Sequence, residues 1–288
     1  MIETTSARKP MDEEIDVYGL THPGKVRAAN QDHFLLATLN RKLEVLSTSL
    51  PSLEMPSVDA RIAFLAMIAD GVGGAASGEQ ASRLALEEAT QYLSQCTDCY
   101  YQSKPSDETF IETLQEAASR AHERVVTKAS ENPDDRGMAT TLTLWIGVWP
   151  WAYVLQVGDS RYYLYRDGHL TQLTRDQTMA QELIDQGVMA RSAAMASRWA
   201  NTLSSAIGGR QTAPVVTRVP SDWRYIHLLC SDGLTKHVPD ERIAERLREM
   251  KSAKATCEAL LQDALDGGGT DNISIIVGRA VERKGDPA

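Results

Sequence analysis

Short runs of branched and aromatic residues recur along the chain, separated by stretches whose apolar positions fall at helical spacing. The runs are Ile62 to Ala69 (IAFLAMIA), Thr140 to Val148 (TTLTLWIGV), Ala152 to Val157 (AYVLQV), Tyr225 to Cys230 (YIHLLC) and Ile273 to Val277 (ISIIV). Their length and residue types predict strands. RYYLYRDGHLTQLT alternates about Asp167-Gly168, a dipeptide suited to a tight hairpin turn, so Tyr162 to Arg166 should pair antiparallel with His169 to Leu173. Gly78 to Gln95 and Asp107 to Ser130 read as helices, the second with Ser106 or Asp107 as its cap. Asp240 to Asp266 is also helical, with a break near Lys251-Ser252. Strands joined by short links and helices arriving in pairs predict antiparallel sheets with helices packed outside them, an α+β fold.

The chain has 288 residues, enough for one large domain, and it shows neither an internal repeat nor an interdomain linker. Residues 1–15 read as a polar tail, 16–283 as the domain and 284–288 as a C-terminal tail. Within the domain, 38–61 is polar and interrupted twice by proline, which fits a surface insertion, and 177–210 reads as a helical flap. A hydrophobic fraction of 42% and a charged fraction of 24% are those of a globular protein, and no apolar stretch reaches the roughly 18 to 20 residues of a membrane span. The start lacks the apolar segment of a signal peptide, so a cytoplasmic location is expected. The net charge of -9 argues against a general nucleic-acid binder, whose affinity comes from lysines and arginines on phosphates. Four cysteines are too few for a disulfide scaffold, and Cys96 and Cys99 form C-x-x-C without a second pair, which supports no zinc site.

Aspartates fall at strand ends. Asp70 closes IAFLAMIA, Asp159 follows AYVLQVG, Asp232 follows YIHLLCS, Asp271 stands before ISIIV, and Asp32 stands before the apolar run HFLLA. Any one of them could be an ordinary turn residue, as Asp167 is. Gathered on one sheet edge, however, like charges repel unless a cation neutralises them. A carboxylate and carbonyl set without a convergent histidine or cysteine suits Mg²⁺ or Mn²⁺ rather than zinc. Gly71 to Ala76 formally satisfies the dinucleotide fingerprint G-x-G-x-x-(G/A), which keeps an NAD(P)-dependent oxidoreductase as an alternative. The acidic residue that fingerprint needs about 20 residues on is missing from a strand end, and no G-K-(S/T) follows. The glycines are better read as clearance for backbone beside Asp70, with the Gly71 carbonyl as a ligand.

GKVRAANQD (24–32), ADGVGG (69–74), GMATTL (137–142), VGDSRYYLYRDG (157–168), LLCSDGL (228–234) and GGTDNISIIV (268–277) together resemble, in order, the motif series of the bacterial PP2C-type, or PPM, metal-dependent serine/threonine protein phosphatases. The resemblance covers about residues 16 to 280. It implies a four-layer α/β/β/α sandwich with a two-metal site at one edge of paired antiparallel sheets. It also implies that Asp70 bridges two ions, Mg²⁺ or Mn²⁺, that the Gly71 carbonyl binds one and that Asp232 and Asp271 hold the other. Asp32 is then a further acid of the site, Asp159 joins Asp232 around a third, weaker ion, and Arg27 clamps the substrate phosphate.

The implied reaction is in-line attack on phosphoserine or phosphothreonine by a hydroxide shared between the ions. The partners are phosphorylated proteins and a serine/threonine kinase, and the chain acts as a monomer. Val72 stands where animal relatives often carry a histidine, Gln31 where a glutamate is frequent, and Ala139 where M-G-T-T has glycine. A different class, a phosphoprotein-binding pseudophosphatase without turnover, would also keep the fold, although it would have no evident need for five mutually repelling aspartates.

Overall fold

The computed structural model describes residues 8–42, 59–73, 75–96 and 107–282. Among these, the strands are β1 (Ile15–His22), β2 (Asp32–Lys42), β3 (Asp59–Val72), β4 (Ala139–Thr140), β5 (Leu142–Val148), β6 (Trp151–Val157), β7 (Arg161–Arg166), β8 (His169–Gln172), β9 (Val215–Pro220), β10 (Ile226–Cys230) and β11 (Ile273–Ala280). The helices are α1 (Ala75–Gln95), α2 (Asp107–Glu131), α3 (Met179–Asp185), α4 (Arg191–Met195), α5 (Asp232–Thr235), α6 (Asp240–Arg248) and α7 (Ala253–Asp266). One sheet has the order β1-β11-β10-β7-β8 and the other β2-β3-β5-β6-β9, with β4 on β3. The pairings are antiparallel, as the short links require.

Alternation along each strand sends successive side chains to two different apolar layers. On β3, Leu65, Met67 and Ala69 pack under α1 and α2, while Ala66 and Ile68 face the other sheet. On β11, Ile273, Ile275 and Val277 pack under α5, α6 and α7, while Ile276 meets Ile68, Tyr162 and Leu229 between the sheets. Both faces of these strands are therefore buried, which is why they read as continuous apolar runs. The result is the four-layer α/β/β/α sandwich. Closeness of the sheets is set locally by Gly19, where a Cβ would lie 2.7 Å from the Phe34 ring.

Several expectations need correction. Residues 8–15 are not a free tail: Glu14 is buried, accepts hydrogen bonds from Arg8 and from the Met11 N–H, and β1 begins at Ile15. Polar composition misleads there because the charge is paired. The proposed insertion 38–61 is strand at both ends, with β2 reaching Lys42 and β3 starting at Asp59; residues 43–58 lie outside the described residues, as do 1–7, Cys99, Ser106 and 284–288. Asp107 is the first residue of α2 rather than its cap, and its carboxylate accepts from Tyr153 and pairs with Arg218. The run from Thr140 breaks at Thr141 into β4 and β5. The break before α7 is where expected, with Ser252 capping the Ala255 N–H. No described helix is long and apolar enough to cross a membrane.

The register brings the chain's aspartates to one end of the sandwich. Asp32 opens β2 directly opposite Asp70 near the end of β3. The neighbouring strand pairs end in the same direction, so Asp159 after β6, Asp232 after β10 and Asp271 before β11 arrive at that rim.

Candidate metal centre

Asp70 is fixed through its backbone. Its N–H donates to Thr141 Oγ1 at 3.0 Å, and its carbonyl accepts from the Thr141 N–H and from Thr140 Oγ1, each at 2.9 Å. Thr141 Oγ1 also meets Ser160 Oγ at 2.8 Å, which ties Asp70 to the turn that carries Asp159. The strand break at Thr141 is therefore what locks Asp70 to its place. Gly71 follows, donating its N–H to the Gln31 carbonyl at 3.2 Å. A Cβ at Gly71 would lie 2.2 Å from the Gly78 carbonyl oxygen in the first turns of α1. The glycines are thus clearance, letting α1 pass close behind the aspartate.

Asp32 joins the two sheets. Although it belongs to the β2 sheet, its Oδ2 accepts from Ser231 Oγ at 2.8 Å and from Ser274 Oγ at 2.9 Å, both at the end of the other sheet. It is 2% exposed, and its Oδ1 is buried without a hydrogen-bond partner. Asp232 opens α5, and its Oδ1 is likewise buried and unpartnered. One turn later Lys236 Nζ lies 2.6 Å from Asp232 Oδ2 and 2.8 Å from Asp271 Oδ2. Arg27 approaches Asp271 from the other side, Nε to Oδ1 at 2.8 Å and an Nη to Oδ2 at 3.0 Å.

The loop that carries Arg27 is held by Asn272, whose amide donates to the carbonyls of Pro23 and Ala29 while its oxygen accepts from the Gln31 N–H. Gly24 lets this loop cross the 269–271 turn, since a Cβ there would stand 2.2 Å from the Asp271 carbonyl oxygen.

The electrostatics are those of crowded anions. Burial, opposed by the Ser231 and Ser274 hydroxyls, raises Asp32 to about 6. Burial and then the charges of Asp32, Asp232, Asp159 and Asp271 push Asp70 well above the carboxylate range. Burial, Asp232 and Asp176 bring Asp159 up to about 8, with Lys236 acting against them. Asp232 is raised by burial despite Lys236. For Asp271 burial acts upward, but the bonds from Arg27 and Lys236 together hold it below its ordinary value.

The five aspartates, Arg27 and Gly71 singled out from the sequence therefore share one rim. Among the described residues no three histidine, cysteine or acidic side chains stand ready around a single point for an ion; Asp271 is turned onto Arg27 and Lys236. The donor set nonetheless fits divalent cations. It is carboxylate and carbonyl oxygen, it holds two buried oxygens without a donor, and burial together with mutual repulsion pushes Asp32, Asp70, Asp159 and Asp232 toward neutrality, which a hard cation relieves. His33, His122, His227 and His237 instead bond Ser82, Thr212, Tyr162 and Thr270.

Sequence reading missed Lys236, Thr141, Ser231, Ser274 and Asn272. Lys236 alone left a usable signal, lying four residues after Asp232 and so one helical turn away.

The model of the family described as protein phosphatase 2C matches residues 56–267. The serine/threonine protein phosphatase PstP of Mycobacterium tuberculosis is 34% identical over 218 residues, which are 76% of this chain and 40% of that protein; the chain thus spans well under half of its length. The serine/threonine phosphatase stp of Listeria innocua is 31% identical over 224 residues, 77% of this chain and 86% of that one. Among solved structures, the catalytic domain of PstP in complex with 2 manganese ions superposes with a TM-score of 0.72 at 28% identity, covering 93% of this chain and 99% of that one. The ordered motifs, the paired-sheet sandwich and these likenesses agree, and the chain belongs to the protein phosphatase 2C family.

Proposed function

We propose that the chain hydrolyses phosphoserine and phosphothreonine on proteins with the help of two divalent ions, Mg²⁺ or Mn²⁺. Asp32, Asp70, Asp232, Asp271 and the Gly71 carbonyl hold them. The observation that carries this reading is Asp32: a buried carboxylate with one unpartnered oxygen, set directly across the strand pair from the half-buried carboxylate of Asp70 and at the same rim as an exposed arginine. The manganese-bound relative supports the choice of ion. When bound, such ions would supply hydroxide near neutral pH for attack at phosphorus and would offset charge on the phosphoryl oxygens.

The chain's own groups do the rest. Arg27, with its side chain 52% exposed, exchanges its bonds to Asp271 for the phosphate oxygens, which match the guanidinium fork bidentately. Asn272 keeps the Arg27 loop in reach. Val72 offers no proton at the strand end, so water serves as the acid toward the leaving oxygen. The 177–210 flap is rooted next to the chain segments that carry Asp159 and Asp70, Gln177 on Gly158 and Ile207 on Thr140, and from there it selects among substrates. Those substrates are cytoplasmic products of a serine/threonine kinase.

Release of phosphate from p-nitrophenyl phosphate and from a phosphothreonine peptide, with Mn²⁺ added, tests the reading. Turnover that falls to background in Asp70→Asn is expected. Tight peptide binding without turnover or metal uptake would instead make the chain a binding module.

A further inference from the structure

The two sheets do not close on each other at the end away from the aspartates. Phe64 precedes Asp70 on β3 by roughly 20 Å of strand, and there the gap between the sheets holds a cavity of about 100 Å³, walled by Phe64, Trp145, Trp149, Leu229 and Ile276. Small residues on facing strands leave the space: Ala66 on β3, Gly147 on β5 and Gly278 on β11. A Cβ at Gly147 would stand 2.3 Å from the Trp145 ring, which lies across it. Phe64 and Trp145 meet edge to face at 6.5 Å, and each is only half-buried, its remaining surface lining the cavity. Interiors normally leave few voids larger than a water molecule. The charged groups of the lining are paired, Arg61 with Asp12, Arg279 with Asp16 and Asp222 with Arg224. His227, also in the wall, meets the Tyr162 hydroxyl through Nδ1 and is kept neutral by burial. Lys9 is the exception. Its Nζ donates to the Arg61 carbonyl, the nearby Asp12 is engaged by Arg61, and among the described residues Lys9 forms no ion pair. It is also the exposed member of the lining.

We propose that this cavity is a second binding site, for a small aromatic monocarboxylate whose ring lies among Phe64, Trp145 and Ile276 and whose carboxylate meets the Lys9 ammonium. Size sets the ring. A cavity of roughly 150 Å³ takes up benzene, so a space of about 100 Å³ with an open side holds one ring and not a fused system or a long acyl chain. The aromatic walls offer that ring edge and face contacts. Charge sets the head group. One unpaired ammonium neutralises a monoanion, whereas a phosphate dianion would call for a second cation or a guanidinium fork, and both arginines of the lining are already bonded to aspartates. An amine in place of the carboxylate would meet the like charge of Lys9. The ligand would join residues 9 and 10 to both sheets and so favour the folded chain by binding it alone. The site lies at the other end of the sandwich from the aspartates and does not depend on what they hold.

The test is a calorimetric titration of the full chain, with Mn²⁺ present, by phenylacetate, acetate and 2-phenylethylamine. Phenylacetate should bind with a dissociation constant of about 1 mM or tighter, the range open to a ligand of its size. Acetate, which has the carboxylate without the ring, and 2-phenylethylamine, which has the ring with a cation, should each bind at least about tenfold more weakly. Acetate also accounts for any carboxylate taken up by the metal ions. Lys9→Glu reverses the head-group charge at an exposed position, and Ala66→Leu fills the space; each should weaken phenylacetate by about tenfold or more, with circular dichroism confirming the fold. No binding of phenylacetate up to about 10 mM would overturn the site. Acetate or 2-phenylethylamine binding as tightly as phenylacetate would overturn the ligand class. Unchanged affinity in Lys9→Glu, or in a folded Ala66→Leu, would place the ligand elsewhere and overturn the proposal.

Discussion

Replacing Asp32 by asparagine should stabilise the chain when metal is withheld and destabilise it, relative to wild type, when metal is supplied. The asparagine oxygen can still accept from Ser231 and Ser274, so the tie between the sheets survives. What is lost is one buried charge. The Asp32 carboxyl sits at about 6 against an ordinary 3.8, so the folded state holds this proton more tightly than the unfolded one. The stability this contributes is complete below 3.8 and is lost as the pH rises through 6. At pH 7 an ionised Asp32 therefore costs the fold about 3 kcal/mol, at roughly 1.4 kcal/mol per pH unit between the two values. For a chain of this size 1 kcal/mol moves the melting temperature by about 2 °C, so Asp32→Asn in EDTA should melt about 5 °C above wild type. In excess Mn²⁺ the order should reverse, because ligand at a thousand times its dissociation constant adds about 4 kcal/mol to whichever form still binds it. Scanning calorimetry in the two buffers reads both signs. A variant that melts below wild type in EDTA as well as in Mn²⁺ would show Asp32 to be a structural acceptor and not a strained charge.

Three further outcomes follow from the geometry. Arg27→Ala should lower kcat/KM on p-nitrophenyl phosphate by roughly 10- to 100-fold, the equivalent of losing charge-assisted bonds of about 1.5 to 3 kcal/mol; an unchanged value in steady-state kinetics would contradict the clamp. Gly71→Ala forces a methyl to 2.2 Å from the Gly78 carbonyl and 2.8 Å from that of Gln31, so α1 must move from β3, and urea unfolding should show a loss of about 1 to 3 kcal/mol. His227, brought down from 6.5 to about 4 by burial, refuses a proton that the unfolded chain accepts. Its contribution is therefore present above 6.5 and lost as the pH falls toward 4, up to about 3 kcal/mol. The stability difference between wild type and His227→Gln, measured by urea unfolding at pH 7 and pH 4.5, should shrink at the lower pH.

The elements most legible in the sequence are those whose burial is uniform. β3 is apolar without a break because α1 and α2 cover one face and the second sheet the other, and the hairpin of β7 and β8 is written in its Asp-Gly turn. β1, IDVYGLTH, escaped notice because its half-buried positions mix Asp16, Thr21 and His22 with apolar residues, and β9, VVTRVP, because it is an edge strand that ends in proline. The aspartates could be found because strand ends are visible in the chain. Their supports could not, since Ser231 and Ser274 reach Asp32 across 199 and 242 residues, and hydroxyls or amides acquire meaning only after the fold has brought them together. Lys236 lies two residues beyond the LLCSDGL motif and carries the opposite sign from the residues sought there.

Anomalous diffraction from a crystal grown with Mn²⁺ addresses the central claim most directly. Two manganese peaks should appear at the rim, with Asp70 oxygens within about 2.5 Å of both and Asp232 and Asp271 bound to one of them. Peaks confined to other surfaces, with Asp232 and Asp271 still held only by Lys236 and Arg27, would contradict it.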